Sequence, residues 1–319
     1  MASLLIRRPG ILITIQDRGR PGWGAFGVPA SGAMDPLAMQ VANALVGNPP
    51  DAAVLEVTGP GAALTFALEE PRLVALAGGD LGALISGAHP LPVAQAIVVA
   101  DDETMTFTER RRGSRAFFAI AGGLATTRWF GSTATDVTNR LGGLEGRPLR
   151  AGDRLPLGLP EARLSRPPRA LPETLTAAYA DPSQLRFIAA PAAPSATLAA
   201  FVETWFVVTP QSNRIGFRLR SDSGAPIPMA APAADLLSEP LAPGTLQLPP
   251  DGQPILLMAD RQTVGGYPIL GHVISADRPK AAQLWPGDRI RFASVSLDDA
   301  RAQLQAQTVA MTAWLNGRD

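Results

Sequence analysis

Short apolar runs, most of them bracketed by Gly or Pro, set the pattern of this chain. They fall at Ile11–Ile15, Ala62–Phe66, Leu73–Ala77, Ile97–Val99 and Ala116–Ile120, then at Phe206–Thr209, Thr245–Leu248, Ile255–Met258 and Arg289–Phe292. Runs this short between turn signals are strands, and their recurrence predicts barrels or sandwiches. Helical periodicity is confined to two places. Asp35 before Pro36 is a helix start, since Asp accepts orphan amides and Pro lacks one. Leu37, Val41, Ala44 and Leu45 form one face, and Gly47 stops the helix. Ser296 caps the second helix, whose stripe of Leu297, Ala300, Leu304, Met311 and Leu315 runs to Gly317. That stripe is expected to pack on the body or on a partner. The predicted class is mainly β with few short helices and a C-terminal helix.

An internal repeat divides the chain. At one constant offset Glu56-Val57-Thr58-Gly59-Pro60-Gly61 aligns on Glu239-Pro240-Leu241-Ala242-Pro243-Gly244, and Pro71–Ala77 aligns on Pro254–Asp260. Arg20-Pro21-Gly22-Trp23 resembles Arg214-Ile215-Gly216-Phe217, and Ala151-Gly152-Asp153-Arg154-Leu155 resembles Pro286-Gly287-Asp288-Arg289-Ile290. Matches in one order imply two related β-rich domains. The expected bounds are 1–158 and 184–295, joined by a linker over 159–183 that holds Pro160, Pro167, Pro168, Pro172 and Pro182, with the helix over 296–319.

Composition narrows the chemistry. Gly and Pro number 31 each among 319 residues, which suits many turns and argues against a helical bundle. There is no Cys, so disulfides, thiol nucleophiles and Cys-bound metals are excluded. The one lysine, Lys280, follows Asp277-Arg278-Pro279, which is neither a Walker loop nor a biotin-carrier hairpin. Basic and acidic residues balance at 28 each, removing the electrostatic footprint of a nucleic-acid binder. The run Arg110-Arg111-Arg112 is read as a solvated hairpin tip. Residues 1–10 have no signal-peptide core and no apolar run reaches membrane-spanning length, so a cytoplasmic protein without a membrane partner is expected. His89 and His272 are too isolated for a metal site and are read as structural.

Three segments are candidates for chemistry. In the first, Gln16-Asp17-Arg18-Gly19-Arg20 leads on to Gly27–Asp35, an irregular Gly- and Pro-rich loop ending at a helix start. Arg20, Ser31 and the amides after Asp35 could converge on a carboxylate. Alternatively Asp35 is a plain cap, and Asp17 and Arg20 brace the loop. Gly22-Trp23-Gly24-Ala25-Phe26-Gly27 matches a dinucleotide fingerprint in form, but Val28-Pro29 follows where a helix is required. In the second segment an apolar strand delivers Asp260-Arg261-Gln262-Thr263-Val264-Gly265-Gly266-Tyr267-Pro268. Arg261 suits an anion, Gln262 an amide, and the paired glycines a close backbone approach. The third candidate is the repeat-related pair Glu56 and Glu239. If a twofold brings them to one cleft, like charge raises a carboxylate toward acid–base use; otherwise each anchors its own domain. Ser212-Asn213-Arg214 is expected to join the second segment's surface.

Taken together, Gln-Asp-x-Gly-Arg at 16–20, Gly-Val-Pro-x-Ser-Gly-Ala-Met-Asp at 27–35, Ala-Asn-x-Leu-Val-Gly-Asn at 42–48, Ser-Asn-Arg-x-Gly at 212–216, Ser-Glu-Pro at 238–240 and the stretch 249–263 resemble one family over essentially the whole chain. That family is the C subunit of 5-oxoprolinase, also called the biotin-dependent carboxyltransferase family, allophanate hydrolase subunit 2 or KipA-like. The resemblance implies two cyclophilin-like β-barrel domains and a B subunit (KipI-like) as partner, with an A subunit of the lactam-utilisation type. Together these open 5-oxo-L-proline to L-glutamate at the expense of ATP. It implies no cofactor bound covalently here, ATP and biotin coming through partner subunits, no metal, and no activity of the chain alone. The mechanism expected for such a reaction sets Arg20, Arg214 or Arg261 at a developing oxyanion and Asp17, Glu56 or Glu239 at the water. Around the substrate are expected Ser31, Asp35, Asn213, Arg214, Asp260, Gln262, Thr263, Gly265, Gly266 and Tyr267. Val264 departs from the second Thr of many relatives. The alternatives are the carboxyltransferase of a split urea-type carboxylase and a regulatory module that antagonises a kinase inhibitor.

Overall fold

The computed structural model describes residues 2–160, 170–229 and 237–317. The chain divides into two compact units, Met1–Pro21 with Ser31–Ala170, and Gly22–Ala30 with Leu171–Asp319. Of the expected linker, 161–169 lies outside the described residues, and Glu173–Ala177 is helical.

In the first unit the strands are β1 (Ser3–Pro9), β2 (Leu12–Gln16), β3 (Val54–Thr58), β4 (Ala62–Ala67), β5 (Arg72–Asp80), β6 (Ala83–Ile85), β7 (His89–Pro90), β8 (Gln95–Val99), β9 (Thr104–Phe107), β10 (Arg112–Ile120) and β11 (Arg154–Pro156). They form two sheets, ordered β11-β1-β4-β9-β6-β7 and β2-β3-β10-β5-β8. One core holds them: Leu4, Ile6, Ile13, Ile15, Leu64, Phe66 and Phe118, among others, are at most 1% exposed. Helix α1 (Pro36–Leu45) packs on β5 and β10. Asp35 caps it as expected, its Oδ1 accepting from Ala38 N at 3.0 Å. The 42–48 motif pins the exit from α1. Asn43 Nδ2 donates to Ala52 O at 2.8 Å, and Asn48 donates to Ile120 O at 2.9 Å while accepting from Gly122 N at 3.0 Å.

The second unit contains α2 (Glu173–Ala177), β12 (Gln184–Ala189), α3 (Ser195–Glu203), β13 (Phe206–Val208), β14 (Gly216–Ser221), β15 (Glu239–Pro240), β16 (Thr245–Gln247), β17 (Ile255–Leu257), β18 (Val264–Gly265), β19 (Ile269–Val273), α4 (Arg278–Ala282), β20 (Arg289–Ser294) and α5 (Leu297–Leu315). Seven strands close a barrel in the order β12-β19-β16-β17-β14-β13-β20, the β12–β20 pair being parallel. Its core is aromatic. Phe201 from α3 stacks on Phe292 with centroids 4.7 Å apart, meets Phe187 edge-on at 5.4 Å and touches Phe206 at 5.3 Å. Beside the barrel, β15 and β18 form a ribbon pairing Glu239 with Gly265.

Every apolar run expected to be extended contributes a strand, and the fold is mainly β. Three details differ from expectation. Arg110–Arg112 is not a hairpin tip, because β9 and β10 belong to different sheets and the run crosses between them. Repeat-related strands also pair differently. β16 and β17 are neighbours across the tight turn closed by Gly252 N to Pro249 O at 2.9 Å, whereas β4 and β5 sit in opposite sheets. Finally, α5 is capped by Ser296, whose Oγ accepts from Asp299 N at 3.1 Å, but its stripe is only partly covered. Ala300, Met311 and Trp314 are buried, while Leu297, Leu304 and Leu315 are exposed. No described helix is long and apolar enough to cross a membrane.

Candidate functional site

In the first unit residues 16–20 and 31–35 belong to a network of buried polar groups. Asp17 accepts from Gly19 N at 2.7 Å and Ser132 Oγ at 2.6 Å on one oxygen, and from Thr133 N at 2.7 Å and Thr133 Oγ1 at 3.1 Å on the other. Four donors saturate a carboxylate, and they tie the 16–20 loop to the 132–135 segment. Arg20, 1% exposed, donates through Nη2 to Ala134 O. Glu56, on β3 and equally buried, accepts from Met34 N at 2.9 Å and has Arg115 Nε at 3.7 Å. Ser31 is 8% exposed with a left-handed φ of 51°. Asp17, Arg20, Ser31, Asp35 and Glu56 therefore all lie buried in the first part of the chain, and the partners just named for Asp17 and Glu56 are groups of the chain itself.

In the second unit Arg214 forks onto Asp260, with Nε to Oδ2 at 2.8 Å and Nη2 to Oδ1 at 3.1 Å, both residues being buried. Asn213 is exposed and its Oδ1 accepts from Ile215 N at 2.8 Å, which shapes the turn before β14. Thr263 O accepts from Leu241 N at 2.9 Å, which extends the β15–β18 pairing by one residue. Gly266, Tyr267 and Gln262 are exposed.

A cavity of about 470 Å³ opens in this unit, within the range of small-molecule sites. Its wall is apolar, built from Pro191, Ala193, Leu248 and Leu270 among others, and its polar groups are few: Glu239, His272, Tyr267 and Thr197. The β15–β18 ribbon brings Glu239 and Gly265 to the lining, and β19 brings His272. His272 Nδ1 lies 3.0 Å from Thr245 Oγ1, across the β16–β19 pair, which fixes the ring. Burial lowers the pKa of His272 below its ordinary value, with Glu239 pulling the other way. The imidazole is therefore neutral at pH 7.

That shift has a sign that can be tested. A histidine depressed in the folded state binds fewer protons than in the unfolded chain, so its contribution is present above the unfolded value of about 6.5 and lost as pH falls through the folded one. The stability of the wild-type chain relative to His272→Gln is expected to decline as pH drops from about 7 to about 5. Thermal melts of both proteins across that range read the difference; parallel curves would contradict it.

Arg261 is half-buried. Its Nε donates to Leu241 O at 3.0 Å, while its Nη1 is shut from water with no hydrogen-bond partner. Burial, and then the like charge of Arg278, push its guanidinium down to about 10. Among the described residues no group of His, Asp and Glu could hold a metal ion.

Of the second-segment candidates, Gly265 and Tyr267 line the cavity, Arg261 and Thr263 are bonded to Leu241 beside the ribbon, and Asp260 is paired with Arg214. Sequence reasoning missed His272 and Gln247. Neither carries a local signal: each sits in an apolar strand, and its neighbours arrive from distant parts of the chain.

Comparison with known proteins bears on the same fold. The family model of the carboxyltransferase domain, subdomain A and B, matches residues 26–294. The chain is 34% identical over 307 residues to the C subunit of 5-oxoprolinase from Escherichia coli K12, covering 95% of each. It is 32% identical to the crystal structure of TTHA0988, with a TM-score of 0.78 over 92% of this chain, but spans only 56% of that one. Against the structure of the K. lactis urea amidolyase the TM-score is 0.87 at 25% identity, over 98% of this chain and 20% of the other.

Proposed function

The chain belongs to the family of the carboxyltransferase domain, subdomain A and B, and on that footing we propose that it is the C subunit of an ATP-dependent 5-oxoprolinase, acting with B and A subunits to open 5-oxo-L-proline to L-glutamate. The observation that carries this reading is the near full-length match to the C subunit of a 5-oxoprolinase. The cavity of the second unit is where the cyclic amide would sit, its apolar wall suiting the ring methylenes.

Opening the ring breaks the amide C–N bond, forms a C–O bond from water and leaves a proton on the departing nitrogen. The partner subunits would activate the carbonyl at the expense of ATP. In this unit Glu239 orients the water, and the neutral His272, held by Thr245, takes a proton from it and then passes that proton to the ring nitrogen. Asp17 and Glu56 are engaged by groups of their own unit, so their work is to hold the 16–20 loop and the residues before α1 rather than the water. Lys280 is 8% exposed, donates to Gln184 O at 3.2 Å and lies 3.4 Å from Asp277, so it does not suit biotin attachment. Biotin chemistry, like ATP, would belong to a partner.

The likeness to urea amidolyase favours a second reading, the carboxyltransferase part of a split urea-type carboxylase. Reconstitution separates them. Purified candidate A and B subunits with this chain should release glutamate from 5-oxoproline when ATP is present, and omitting this chain should abolish release. Undiminished release without it contradicts the first reading; biotin-dependent transfer of labelled bicarbonate supports the second.

A further inference from the structure

Beside the ribbon that carries Glu239, two buried donors lack acceptors. Gln247, on β16, is 1% exposed, and its Nε2 has no hydrogen-bond partner among the described residues. Arg261 Nη1 is in the same condition. Both lie against the ribbon. A Cβ built on Gly265 would fall 2.8 Å from Gln247 Nε2, 2.8 Å from Leu241 Cδ1 and 3.4 Å from Gln262 Nε2, and Arg261 Nε is bonded to Leu241 O. Two side-chain amides thus border Gly265, the guanidinium is bonded to Leu241, whose side chain also faces Gly265, and glycine at 265 is what lets the amides approach.

Charge adds to this. Arg214 has its carboxylate in Asp260, but Arg261 forms no ion pair among the described residues, and its nearest charged influence is another cation, Arg278. A buried donor without an acceptor forfeits stability, more so when charged, so a site with two of them asks for an acceptor. A negatively charged oxygen ligand satisfies the guanidinium and the amide together.

We propose that Arg261 and Gln247, with Gln262 at the rim, form a binding site for a small oxyanion, the carboxylate of a small molecule or free phosphate, beside the β15–β18 ribbon. Occupation would fix the ribbon and hence the position of Glu239. The site belongs to this chain alone, so its test is independent of whether the complex opens 5-oxoproline.

The test is calorimetric titration of the purified chain with 5-oxoproline, with 2-pyrrolidinone, which has the ring but no carboxylate, and with inorganic phosphate. Binding of 5-oxoproline and not of 2-pyrrolidinone identifies a carboxylate site; binding of phosphate alone identifies a phosphate site. In either case Arg261→Met and Gln247→Leu should each weaken binding at least about ten-fold. Gln247→Leu also reads the site without ligand. An apolar side chain replacing an unsatisfied amide should leave the melting temperature unchanged or higher. Binding of neither anion, retention of binding in both variants, or a marked loss of stability in Gln247→Leu would overturn the proposal.

Discussion

Phe201→Ala is expected to lower the unfolding free energy of the second unit by about 3–5 kcal/mol. Phe201 is fully buried, and its ring contacts those of Phe187, Phe206 and Phe292, which come from three different strands of the barrel. Truncation removes the transfer energy of the ring and leaves a cavity that closed strands cannot collapse into. It also detaches α3 from the barrel, since Phe201 and Thr197 are the buried residues of that helix. Phe201→Leu keeps most of the volume and should cost far less, about 1.5 kcal/mol or under. Urea denaturation of the variants checks both values. A loss below about 1 kcal/mol for the alanine variant would mean that the aromatic cluster is not the core of the unit.

Arg214→Ala should cost a similar amount, about 3–5 kcal/mol, for an electrostatic reason. The fork to Asp260 joins the turn before β14 to the end of β17, and Asp260 N also donates to Arg214 O at 2.9 Å. Both side chains are at most 6% exposed, so removing the guanidinium deprives a buried carboxylate of a bidentate partner. The pair is separable from its geometry by a double-mutant cycle. Arg214→Met combined with Asp260→Leu should be much closer to wild type than either single variant, because an apolar pair carries no desolvation cost. Additive losses would show that the two residues act independently.

The fold was readable where the local signal and the tertiary role agree. Asp35-Pro36 and Ser296 are caps in the structure because capping depends only on adjacent atoms. The Gly- and Pro-bracketed runs are strands because nothing else fits between the turns. Helix α3 was invisible: its Pro- and Ala-rich entry gives no cap, and only Phe201 and Thr197 are buried along it. The two-residue strands β15 and β18 exist only through each other, so no pattern along the chain marks them. The family motifs read as candidate chemistry turn out to include strong local fastening. Asp17 ties the 16–20 loop to Ser132 and Thr133, and Asn43 and Asn48 hold the end of α1. The cavity pair Glu239 and His272 was half legible. Glu239 stands in a recurring motif, but His272 gains meaning only once β19 is laid beside β16 and the ribbon.

The central claim is that the cavity of the second unit handles the cyclic amide. Its most direct test is the ATP-dependent release of glutamate from 5-oxoproline by the reconstituted complex carrying Glu239→Gln or His272→Gln. Loss of a positioned acid or base predicts a fall in kcat of about a hundred-fold or more for each, with the complex still assembled and the melting temperature of the chain little changed at pH 7. Wild-type kcat in both variants would contradict the claim.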